Sequence, residues 1–68
     1  MFVITKDSNS ADVRISAVEC MLLANTLNEI LNGIEMFEFH ARLGGTREEV
    51  EGLRSQIADL FRGFDPIP

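Results

Sequence analysis

Two four-residue stretches constrain this chain more than any other feature: Ser16-Ala-Val-Glu19 and Thr46-Arg-Glu-Glu49. In each, a hydroxyl residue is followed three positions later by Glu, ahead of an apolar run. The hydroxyl accepts a backbone N–H of the first turn while the Glu carboxylate reaches back to the residue before the helix, so each stretch marks a helix start. The first predicts a helix over 17–32, closed by Gly33 in the left-handed position that follows many helices. The second predicts a helix over 47–62, with Gly63 as a stop and Phe64 folding back on the last turn. Glu48 and Glu49 also suit the positive end of the second helix dipole.

Apolar spacing agrees with both starts. Cys20, Leu23, Leu27, Ile30 and Ile34 recur three or four apart, and Ala24 and Leu31 widen the same stripe. Val50, Leu53, Ile57, Leu60 and Phe61 form the stripe of the second helix. Such stripes face a core or a coiled-coil-like seam. Val18, Met21 and Leu22 lie off the first stripe and suit a second contact, with the N-terminal segment or with a partner chain. Gly52 costs its helix about 1 kcal/mol relative to Ala, and close approach of another element is one reason to tolerate it.

Ahead of the first helix, residues 1–15 read as a short β-hairpin. Strict alternation puts Phe2 and Ile4 on one face with Val3 and Thr5 on the other, and Val13 and Ile15 alternate with Asp12, Arg14 and Ser16. Between them, Lys6 to Ala11 is turn chemistry, with Asp, Ser and Asn side chains able to bond nearby backbone groups. Residues 36–43 are ambiguous: Phe37, Phe39, Ala41 and Leu43 alternate as in a strand, whereas Met36, Phe39 and Leu43 fit a helix. Arg42-Leu43-Gly44 looks like a helix end, with a cation near the negative dipole end, which favours a short helix. The fold class is therefore mainly α, a small α+β domain: hairpin 1–15, helical part 16–64 and a flexible tail 65–68.

Size then matters. A chain of 68 residues should bury on the order of 6,500 Å² on folding. If about 60% is apolar, the gain is roughly 100 kcal/mol at about 25 cal/mol/Å². Ordering the chain costs roughly the same. Small chains in this position use disulfides, metals or partners. One Cys, Cys20, makes no internal disulfide, and one His, His40, with one Cys makes no closed zinc site without several carboxylates. A homodimer is the remaining common device, and no cofactor is expected. The 25 large apolar residues are those of a folded chain.

The net charge is −5, with six acidic and two basic residues in positions 1–41 against five and four in 42–68. An acidic chain is repelled by phosphate backbones and anionic lipid. No apolar run approaches membrane-spanning length, the N-terminus lacks signal-peptide order, and a lone Cys fits a reducing compartment, so the cytoplasm is expected.

Several side chains invite a functional reading. The turn at Gly44-Gly45 joins two helices and suggests a DNA-reading helix-turn-helix, but the leading surface of the second helix offers Arg47 and Arg54 against Glu48, Glu49 and Glu51. Capping explains those carboxylates without DNA. Asn25, Asn28 and Asn32 share one face of the first helix, with Glu29 at its edge. Asn is a poor helix residue, costing up to about 0.7 kcal/mol relative to Ala. The face is either solvated or a polar contact. In the second case Asn28 and Glu29 would bond Arg42, whose guanidinium takes a carboxylate with two parallel bonds, and Asn28→Ala would destabilise. His40 is a candidate general base by residue type but has no nucleophile beside it in sequence, and Glu35, Glu38 and His40 form only a notional metal set. Cys20 on the seam behaves as a small hydrophobe.

Residues 22–53 resemble small bacterial proteins of unknown function that share an N-x-L-N-E-[IV]-x-N-G helix followed by E-F-x-x-R-[LM]-G and a capped helix. Asn25, Leu27, Asn28, Glu29, Asn32, Gly33, Glu38, Phe39, Arg42, Leu43 and Gly44 occupy those positions. The resemblance transfers no activity. It implies that the Asn-Glu face and the Arg-Leu-Gly corner belong to one shared feature. The expected function is a dimeric protein-interaction or regulatory module without catalytic activity, comparable, by analogy, with immunity or antitoxin proteins that cover a basic surface. A nucleic-acid-binding regulator is the alternative, and an enzyme ranks last.

Overall fold

The computed structural model of the protein describes residues 1–64; the expected tail, 65–68, lies outside the described residues. An antiparallel hairpin of β1 (Phe2–Lys6) and β2 (Ala11–Arg14) precedes α1 (Ala17–Gly33), α2 (Met36–Leu43) and α3 (Arg47–Arg62). Both capping boxes form. Ser16 Oγ accepts the Glu19 N–H at 3.1 Å and the Glu19 carboxylate accepts the Ser16 N–H at 2.9 Å; Thr46 and Glu49 repeat the pattern at 3.1 and 2.9 Å. Each box satisfies two groups that have no partner inside the helix.

The ambiguous middle segment is the short helix. It ends on Gly44, whose left-handed backbone (φ 75°) turns its N–H onto the His40 carbonyl at 2.8 Å. Gly33 differs from expectation. It stays helical, and the chain leaves α1 at Ile34 in an extended conformation with its N–H on the Ile30 carbonyl. Ile34 is half-buried, so an apolar residue under partial cover turns the chain and no left-handed glycine is needed. Gly52 also differs: a Cβ there would meet nothing within 4 Å, so none of the described elements requires the glycine.

The hairpin carries a register shift. Val3 faces Val13 and Thr5 faces Asp12, leaving Ile4 as an extra residue on β1. Val13 and Asp12 are neighbours on β2 and point to opposite faces. Val3 and Thr5 therefore lie on opposite faces, contrary to strict alternation, because a bulge resets the phase of its strand. The Thr5 hydroxyl donating to Asp12 at 2.8 Å places those two together. One face thus holds Val3 and Val13; the other holds Phe2, Thr5, Asp12 and Arg14. The turn is tied by Asp7, whose carboxylate accepts the Asn9 and Ser10 N–H groups at 2.8 Å each.

α1 packs against α3, and α2 touches α3. The start of α3 meets the end of α1, where Arg47 bonds Leu31, and Phe64 beyond α3 borders the same cleft as Ser16 and Glu19 at the start of α1. The two long helices are therefore antiparallel. Among the described residues three apolar side chains are buried, Cys20, Leu31 and Phe39. Neither strand packs its backbone against a helix. The chain is a slab of 39 × 35 × 14 Å with a radius of gyration of 13.8 Å, against about 11 Å for a compact chain of this length.

Candidate functional site

Capping at Ser16 fixes the rotation of α1, and with it which residues look outward. Asn25, Asn28, Glu29 and Asn32 are all exposed. They continue, along the outer side of the helix, an apolar patch of Val18, Met21 and Leu22, which are 53%, 37% and 56% exposed. The outer side of α1 is thus apolar in its first half and amide-rich in its second. The hairpin does not cover it.

Arg42 does not tie this face to the corner. Its guanidinium pairs with Glu38 one turn earlier at 3.8 Å, and the side chain is largely exposed. The tie is made instead by Arg47. Its Nη1 donates to the Leu31 carbonyl at 2.7 Å, its Nε donates to Glu51 at 3.2 Å, and its guanidinium carbon stands 5.9 Å from the centre of the buried Phe39 ring. Leu31 lies in the last turn of α1, where carbonyls lack intrahelical partners. That turn contains no basic residue of its own. Arg47 supplies the missing cation from another helix, which suits the negative end of the α1 dipole. The lack of a basic residue before Gly33 was the available signal for this contact.

Engaging Arg47 inward changes the leading surface of α3. Glu48, Glu49 and Glu51 remain exposed there, while the guanidinium that would approach a phosphate is occupied. Hydrogen bonds from the Thr46 backbone and hydroxyl hold the Glu49 carboxyl below its ordinary range.

A cleft of about 360 Å³ separates the hairpin from the helices, lined by Phe2, Arg14, Ile15, Glu19 and Phe64 among others. Glu19, the carboxylate among its described lining residues, is already committed: the Met1 ammonium and the Ser16 N–H hold its pKa low. A second hollow, under the hairpin turn, is lined by Asp7, whose carboxyl the Asn9 and Ser10 N–H groups hold low. His40 is exposed, and Cys20 is completely buried. Among the described residues, no three His, Cys, Asp or Glu side chains converge as a metal site, Glu35, Glu38 and His40 included. No described helix is long and apolar enough to cross a membrane. Comparison with family models, curated proteins and solved structures finds no match to this chain.

Proposed function

We propose that the protein is a binding module that works as a homodimer in the cytoplasm and acts by contacting another protein, not by catalysis. One observation carries this reading. The chain exposes 5446 Å², whereas a monomer of 7.6 kDa exposes about 4,300 Å². Residues 65–68, counted at unfolded-chain exposure, would supply at most about 640 Å² of that excess. Exposed Leu and Val side chains on both long helices and the hairpin contribute to the remainder. Patches of this kind mark interaction sites in soluble chains.

The net charge and the outward carboxylates Glu29 and Glu48 favour a basic protein surface as the further partner and disfavour nucleic acid. Sedimentation equilibrium at micromolar concentration tests the self-association. A dimer mass is expected; a stably folded monomer would contradict the reading.

A further inference from the structure

Resting on the homodimer reading, we infer that the second copy seats on one particular flank of the α1–α3 pair, built from Leu23, Ile30, Leu53 and Leu60, so that the two helical pairs close into a four-helix bundle. At about 100° per residue, Leu23 and Ile30 lie some 60–80° to one side of the buried stripe of α1. Leu53 and Leu60 lie some 75–95° to the same rotational side of the stripe of α3. In an antiparallel pair, equal rotations from the two contact stripes come out on the same side, as like-lettered flanking positions do in an antiparallel coiled coil. The four side chains therefore form one surface across both helices, seven residues long on each.

That surface is open. Leu23, Leu53 and Leu60 are 36%, 49% and 45% exposed, and Ile30 is half-buried. The opposite flank is more polar: beside Met21 it carries Asn28 and Asn32 on α1, Glu51 and Ser55 on α3, and Arg47 with its bond to Leu31. The acids at the edge of the apolar flank are Glu19 and Glu49, and both carboxylates are engaged in their capping boxes. Charge does not oppose a second copy there, despite the net −5 on each chain.

Area and shape select a second copy as the occupant. The surface excess is about 1,100 Å² per chain, or about 500 Å² with residues 65–68 counted out. If this flank takes most of that excess, two chains would together bury up to roughly 1,000–2,200 Å², from just below standard interface size to the low end of obligate ones. The slab is 14 Å thick between Cα atoms, about half the diameter of a compact chain of this length. Stacking two slabs by their apolar flanks restores that thickness, and it leaves the Asn face and Leu22 outside for another protein.

The test compares Leu53→Glu/Leu60→Glu with Leu22→Glu, which lies nearly opposite the buried stripe of α1. Sedimentation equilibrium gives mass, and circular dichroism follows helix content. The wild type and Leu22→Glu should be dimers, and the double variant should associate at least 100-fold more weakly. A double variant that dimerises like the wild type overturns this interface while sparing the homodimer reading, as does loss of the dimer in Leu22→Glu alone. A monomeric wild type leaves the flank to a different protein and overturns both. Because the double variant could lose its fold, single cysteines give a second measurement. Under mild oxidation Leu53→Cys or Leu60→Cys should form a covalent dimer and Leu22→Cys should not. No link from either flank position, or a link from Leu22→Cys instead, overturns the proposal.

Discussion

Arg47 joins three parts of the chain that sequence keeps apart: the last turn of α1, the ring of Phe39 on α2 and the first turn of α3. Removing it leaves the Leu31 carbonyl without its donor in a partly buried place. Arg47→Ala should cost about 1–3 kcal/mol in chemical denaturation, and an unchanged midpoint would show that water replaces the guanidinium without loss. Asn28 has the opposite standing. Its expected bond to Arg42 is not made, because Arg42 has a nearer partner in Glu38 one turn back, and Asn28 stands in solvent. Asn28→Ala should therefore stabilise α1 by up to about 0.7 kcal/mol from propensity, and a measured loss would place Asn28 in a contact with another chain. The Asn face was legible as a face, since i, i+3 and i+7 spacing is enough to define one. Which Arg served α1 was not legible, because the choice depends on how two helices cross.

At the scale of elements, helix starts were readable and helix ends were less so. A capping box is chemistry within four residues, and both formed where the spacing placed them. Ser16→Ala and Thr46→Ala should each cost about 0.5–2 kcal/mol, measured by urea titration; no loss at either site would mean the hydroxyls are replaced by water. The end of α1 turned on Ile34 and not Gly33, a matter of what Ile34 packs under. The middle helix was settled by its own end, where Gly44 takes the left-handed turn that a strand would not need. The bulge at Ile4 left no trace in the alternation of β1, since pairing with β2 creates it. The same local bonds set the acid response. Asp7, Glu19 and Glu49 all have lowered pKa values, through backbone N–H donors and, for Glu19, chiefly the N-terminal ammonium. A carboxylate favoured in the folded state gives stability that is present above its unfolded pKa, about 4, and lost as pH falls through the lower folded value. Stability should thus be level from neutrality to about pH 5 and decline below about pH 4. Denaturation midpoints that rise on acidification would contradict these assignments.

The molecule as a whole exposes more surface than a compact monomer of its mass, 5446 Å² against about 4,300 Å². Small chains whose gains and costs nearly cancel often draw on a partner subunit, which is the premise of the homodimer proposal. Its geometry is open: a slab with three buried apolar residues among those described, a hairpin lying off the helices and an exposed leucine flank. An isolated two-stranded hairpin is marginal in water, so the exposed Val3–Val13 face belongs to the same excess. The position of the open flank was only half legible. Leu53 and Leu60 sit in the stripe that spacing assigned to the core, and only the observed antiparallel pairing shows that they fall to one side of it. If folding requires a second copy, stability must depend on protein concentration, because unfolding then releases two chains. The urea midpoint of the wild-type chain, measured at 1 µM and again at 100 µM, tests this directly. The hundredfold change corresponds to about 2.7 kcal/mol per dimer, and with urea slopes typical of small proteins the midpoint should rise by about 1–2 M. A single cooperative transition at the same urea concentration in both samples would show that the lone chain folds unaided and would contradict the account.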